Sequence, residues 1–126
     1  MRLASGPVYE RILVGTDGSP TAAKAVDRAA ELAAAVKARL TIVSVGQQAQ
    51  QVVEAEKQRL ADTGLDIETT TAAGDPAAVL AEMAAGYDLL VVGNKGMTGA
   101  GRFFLGSVPN KVSHHSPCSL LIVHTT

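Results

Sequence analysis

The sequence predicts an α/β protein: an open, doubly wound, five-stranded parallel sheet with helices on both faces. Three observations carry this expectation. Short runs of Val, Ile and Leu alternate along the chain with Ala-rich segments of helical period. Hydrophobic residues make up 47% of the 126 residues and aromatics only 3%, with no Trp, so the core must be built from aliphatic side chains. That composition suits parallel strands buried on both faces. Strand-like and helix-like segments follow one another in strict alternation, which implies parallel strands and right-handed crossovers. The length suits one domain, residues 1–126, with 1–9 as a loose leader containing Gly6 and Pro7.

The elements are read in order. Arg11 to Thr16, with Ile12-Leu13-Val14 at its centre, is strand one. Gly15-Thr16-Asp17-Gly18-Ser19-Pro20 closes it, and Ser19 before Pro20 matches an N-cap with proline at the first helical position. Helix one runs from Pro20 to Val36, with Ala22, Ala25, Val26, Ala29, Leu32, Ala33 and Val36 on one face. Strand two is Leu40 to Val45. A glutamine-rich surface connection from Gln47 follows, and helix two spans Gln51 to Thr63 with Val52, Val53 and Leu60 inward, closed by Gly64. Strand three, Asp66 to Ala72, is rich in Thr. Asp75 caps helix three, which runs to Gly86. Leu89 to Gly93 is strand four. A glycine loop spans Asn94 to Gly106, Ser107 caps a last helix to Ser116, and Ser119 to Val123 is strand five.

Bulk chemistry narrows the function classes. The formal net charge of −1 gives no argument for nucleic acid or an anionic membrane as a partner. The leader lacks an apolar signal region, and no apolar run approaches the roughly 20 residues needed to cross a bilayer. Cys118 is the single cysteine, so no intrachain disulfide forms, and a cytoplasmic location is expected.

In open doubly wound sheets, ligands bind at the carboxyl ends of strands where the winding reverses. Here the reversal falls between strands one and four, which gives the order 3-2-1-4-5. Those two strands end in the two most unusual loops of the chain, Gly15-Thr16-Asp17 and Gly93 onward. The second reads Gly93-Asn94-Lys95-Gly96-Met97-Thr98-Gly99-Ala100-Gly101-Arg102-Phe103-Phe104-Leu105-Gly106-Ser107-Val108-Pro109. Glycines let backbone amides approach phosphate oxygens, and a helix opening at Ser107 offers unpaired amides to an anion. Thr98 and Ser107 add hydroxyls; Lys95 and Arg102 add positive charge. Composition alone is compatible with a phosphate cradle and with an ordinary glycine loop. The Gly-Lys-Ser/Thr ending of a P-loop is absent, and no Gly-x-Gly-x-x-Gly follows strand one, which disfavours a dinucleotide.

With these motifs in hand the sequence resembles the universal stress protein family. The spacing Gly93-x2-Gly96-x9-Gly106-Ser107 resembles the signature of its ATP-binding branch. Ile12-Leu13-Val14-Gly15-Thr16-Asp17-Gly18-Ser19 at the start and Pro117-Cys118 before strand five are similar to the family's ends. The resemblance implies an adenine-nucleotide α-hydrolase-like fold that holds ATP, with or without Mg2+. It places Asp17 near ribose and adenine beside the backbone of Gly15 and Thr16. It aligns Val45 with the position whose backbone reads the adenine edge. Gly93 through Gly99, then Gly106, Ser107, Val108 and Pro109, would wrap ribose and phosphates. The family's segment between strand two and helix two is usually longer than the one here.

Two rivals stand beside an ATP-binding stress-response regulator. One is cyclic AMP as the ligand of the same fold. The other is a slow ATPase or a nucleotidyl- or phosphotransferase, for which no nucleophile paired with a base is visible. Asp17 taken alone is an ordinary turn residue. His114 and His115 point to different sides of a helix, so no metal site is expected. Lys24, Asp27, Arg28 and Glu31 read as a solvated helix face. Strand five is apolar at Leu120, Leu121, Ile122 and Val123, whereas strand three carries charge. An apolar edge calls for a cover, so a homodimer paired through strand five is expected, as the family resemblance also implies. The protein client stays unidentified.

Overall fold

The computed structural model describes residues 9–93 and 118–124. The elements are β1 (Arg11–Gly15), α1 (Pro20–Val36), β2 (Arg39–Val45), α2 (Ala49–Arg59) with a 3-10 turn after it (Ala61–Thr63), β3 (Ile67–Ala72), α3 (Pro76–Ala84), β4 (Leu89–Gly93) and β5 (Ser119–Val123). The five strands form one sheet in the order β3-β2-β1-β4-β5, and every neighbouring pair is parallel. The expected fold and strand order are both present. The last helix expected from Ser107 lies outside the described residues.

The direction of winding decides which helix covers which face. From β1 to β2 to β3 the chain moves one way across the sheet, so right-handed crossovers put α1 and α2 on the same face. From β3 to β4 it moves back, and α3 falls on the opposite face. The two cores record this. Ile12, Val14, Leu40, Ile42 and Val91 pack against Ala25, Val26 and Ala29 of α1 and Val53 of α2. Leu13, Val43, Leu90 and Val92, the alternate positions, pack against Ala77, Leu80 and Ala84 of α3. β1 and β4 are buried on both sides, and each fully buried Val, Leu or Ile contributes roughly 1.5–3 kcal/mol.

Local signals set the helix starts. The Ser19 hydroxyl accepts from the Ala22 N–H at 3.1 Å, and Pro20 opens the first turn of α1. Asp75 does the same for α3, accepting from the Ala78 N–H at 2.9 Å. α1 stops at Lys37, which sits at φ 60, and the Ala38 N–H reaches back to the Ala33 carbonyl at 2.9 Å.

Three expectations need correction. α2 begins at Ala49, two residues before the expected Gln51, and gives way to the 3-10 turn after Arg59. Its inward residues are Ala49, Val53, Glu56 and Leu60, whereas Val52 is only half-buried. Asp27 is more than part of a solvated face. Arg59 of α2 donates to Asp27 at 2.6 Å and grips Glu56 with two bonds of 2.8 and 2.9 Å, tying α2 to α1. These bonds, that to Glu56 above all, hold the Arg59 guanidinium charged well above its ordinary range. Cys118 is buried at the start of β5. Burial, helped by the negative charge of Asp88, pushes its thiol up to about 11, so it stays protonated and unreactive at neutral pH.

Candidate functional site

The carboxyl ends of β1, β2 and β4 meet where the winding reverses. β1 stops at Gly15, and buried Thr16 donates its N–H to the Val43 carbonyl at 3.0 Å, the last rung between β1 and β2. Then the chain peels away. The Gly18 N–H, which would have made the next rung to Val45, goes to the Thr16 hydroxyl at 3.0 Å. Asp17 accepts from the Ser19 N–H through Oδ1 at 2.9 Å, an Asx-turn that delivers the chain to the α1 cap.

This turn leaves the end of β2 open. Along a parallel strand, successive residues direct their backbone groups to alternate neighbours. Val43 bonds toward β1, while Gly46 donates to Ala72 of β3 at 3.0 Å. Val45 therefore faces β1, one step past the last rung. Its N–H and C=O present a donor and an acceptor side by side toward the Thr16–Asp17 turn, with no partner among the described residues. Val45 itself is half-buried, and the Asp17 side chain stands at the margin of the same turn.

β4 completes the edge. Val14 pairs with Val91, so buried Gly93 stands level with Thr16 and pairs with Val123 on its other side. Gly15, Thr16, Asp17, Val45 and Gly93 are thus brought together. The remaining expected site residues, Asn94, Lys95, Gly96, Met97, Thr98, Gly99, Arg102, Gly106, Ser107, Val108 and Pro109, lie outside the described residues. Gly93 is where the chain leaves the sheet toward them. Among the described residues no three His, Cys, Asp or Glu side chains gather as metal ligands.

Sequence reasoning missed one contact here. Gly18 sits at φ 83, and a Cβ on it would lie 3.1 Å from Cγ2 of Val52 in the first turn of α2. The early start of α2 causes this. The spacing Ala49, Val53, Glu56, Leu60 was available as a signal, but the polar Gln tract hid it.

The sequence matches the profile of the "Universal stress protein family" over residues 8–48 and 44–124. The chain belongs to the universal stress protein family. Among its relatives in that family, the universal stress protein YxiE of Bacillus subtilis is 33% identical over 92% of this chain and 99% of its own length. The universal stress protein Rv1636 of Mycobacterium tuberculosis is 35% identical over 94% of this chain and 98% of its own length. A crystal structure of a universal stress protein in complex with cAMP superposes with a TM-score of 0.76 at 34% identity, covering 94% of this chain and 99% of that one. The Rv1636 crystal structure gives 0.65 at 38% identity, over 98% of this chain and all of its own.

Proposed function

We propose that this universal stress protein binds an adenine nucleotide, ATP in the first instance, at the carboxyl edge of β1, β2 and β4, and serves as a nucleotide-responsive regulator in the stress response. The observation that carries the proposal is the open N–H and C=O of Val45 beside the Thr16–Asp17 turn. A donor and acceptor so placed complement the N1 and N6 edge of adenine. Asp17 is within the same turn and would accept from the ribose. Gly15 and Thr16 form the floor. Gly93 feeds the glycine loop in which Asn94, Lys95, Gly96, Met97, Thr98, Gly99 and Arg102 would hold ribose and phosphates. Gly106, Ser107, Val108 and Pro109 would complete the cradle at a helix start, with Mg2+ accompanying the phosphates. The relative solved with cAMP supports cyclic AMP as the alternative ligand of this edge. We take residues 1–126 as one cytoplasmic domain; no described helix is long and apolar enough to cross a membrane.

Isothermal titration with ATP and with cyclic AMP tests the proposal. Asp17→Ala is expected to weaken the bound nucleotide by about 1.5–3 kcal/mol, the worth of a hydrogen bond to a charged group. Gly106→Val, which puts a branched side chain where backbone is to meet phosphate, is expected to weaken it at least as much. Equal affinity in the parent and Asp17→Ala leaves Asp17 a turn residue only. Unchanged binding in Gly106→Val removes the phosphate cradle.

The proposed partner, besides nucleotide, is a second copy of the chain. β5 is an edge of the sheet, and Leu120, Leu121, Ile122 and Val123 are only half-buried. Pairing of two such edges about a two-fold axis would cover them. Val123→Lys is expected to convert a dimer to a monomer in light scattering; a parent protein that is already monomeric at micromolar concentration defeats the assignment.

A further inference from the structure

β3 is the edge of the sheet opposite β5 and pairs with β2 alone. The Leu40 N–H donates to the Asp66 carbonyl and the Gly46 N–H to that of Ala72, both at 3.0 Å. The even-numbered residues along this stretch therefore turn their backbone groups toward β2, and Ile67, Thr69 and Thr71 turn theirs outward. An edge that is kept from pairing usually carries a proline, a bulge or several charges. β3 has no proline, its register with β2 runs unbroken from Ile67 to Ala72, and Glu68 is its single charge. Three successive threonines suit a strand without offering an apolar surface.

An open cleft of about 480 Å³ lies along this edge. Ile67 packs in the cluster beneath α1 and α2, so alternation puts Glu68 and Thr70 on the α3 side of the sheet. There they line the cleft together with Met83 and Tyr87. Glu68 stands opposite Thr41 in the ladder. The Thr41 hydroxyl is buried with no hydrogen-bond partner among the described residues. Arg39 is held by Asp66 at 2.8 Å and reaches Glu68 only at 3.8 Å, which leaves that exposed carboxylate open to a better partner. This side of the cleft offers acceptors and negative charge. Exposed Lys57 of α2 lines the same cleft and makes no ion pair among the described residues.

We infer that the β3 edge is a docking site for an extended polypeptide segment, which adds to the sheet as a further strand with basic side chains toward Glu68 and acidic ones toward Lys57. Main-chain hydrogen bonds supply the affinity and the alternating charges supply the register. A strand separates its successive side chains to opposite faces, so a segment in which basic and acidic residues alternate meets both groups at once. A small cationic ligand would satisfy Glu68 but leave the outward N–H and C=O groups of three residues to water.

The probe is an end-blocked peptide of roughly seven residues, the length of an ordinary strand, in which Lys and Glu alternate. Titrated into the full chain and followed by NMR, it is expected to shift the amides of Ile67, Thr69 and Thr71 most and to slow their hydrogen exchange. No binding at millimolar peptide, or shifts confined to β5, overturns the inference. Thr69→Pro removes an N–H that β2 does not use, a position where an edge strand tolerates proline. It is expected to keep the fold in urea denaturation and to weaken the peptide by about ten-fold, near the upper value of one hydrogen bond. A folded Thr69→Pro that binds as the parent does overturns the inference. The same peptide methylated on every backbone nitrogen keeps its charges and loses its donors, and it tests the parent protein without any substitution. Loss of binding supports strand addition; equal binding shows attraction by charge alone and overturns it. Glu68→Lys is expected to weaken the unmethylated peptide, and unchanged affinity removes the charged register.

Discussion

Leu80→Ala is expected to destabilise the protein by about 2–5 kcal/mol, the usual cost of emptying a Leu site in a packed core. Leu80 is fully buried at the centre of α3. It packs in the cluster formed by Leu13, Val43, Leu90 and Val92, from three adjacent strands. Those strands are held by ladders on both sides, so they cannot close over the void. The small neighbours Ala77 and Ala84 cannot reach into it either. A loss of this size is a large share of the roughly 5–15 kcal/mol that keeps an ordinary domain folded. Urea denaturation measures it directly. A loss below about 1 kcal/mol shows that α3 does not seat on the sheet at Leu80, and the two-faced winding that creates the site then fails with it.

Much of this architecture was legible because its signals are local. The aliphatic runs at Ile12, Leu40 and Leu89 mark strands buried on both faces, and Ser19-Pro20 and Asp75-Pro76 mark helix starts by capping chemistry alone. Parallel strands followed from alternation and the handedness of crossovers, and the order followed from placing the reversal between strands one and four, whose ends carry the two unusual loops. The start of α2 was not legible, because Gln48 makes no side-chain cap and the Gln tract carries no helix signal of its own. Nor was the burial of Glu56. A carboxylate reads as exposed until its partner is known, and that partner, Arg59, is itself held by Asp27 on another helix. The site was half legible. Glycines and topology pointed to the ends of β1 and β4, but the open edge of Val45 depends on where β1 lets go of β2. That point is set by the Thr16 hydroxyl capturing the Gly18 N–H, a contact that sequence pattern does not announce.

Gly18→Val is expected to cost about 2–5 kcal/mol and to weaken the proposed nucleotide binding together with stability. Two effects add. Gly18 sits at φ 83, in the left-handed region, where a residue with a Cβ pays roughly 1–2 kcal/mol and a β-branched one fits worst. The added Cβ also lies 3.1 Å from Cγ2 and 3.4 Å from Cγ1 of Val52. Val52 is β-branched and stiff about χ1, so it has no easy rotation out of the way. The helix must give instead, and overpacking of that kind typically costs 1–3 kcal/mol. α2 is pinned at its far end by Arg59 to Asp27, so the strain concentrates at its first turn and on the three-residue connection from Val45. Asp17 stands beside Gly18 and Val45 at the far end of that connection, so both move off their places in the site. Gly18→Ala keeps the backbone strain and the Cβ contact with Val52 but adds no γ-carbons, so it should lose less than Gly18→Val. Urea denaturation and titration with ATP on both variants measure the two losses. Full stability in Gly18→Val shows that α2 does not rest on this turn, and the close junction of β2 with α2 is then wrong as drawn.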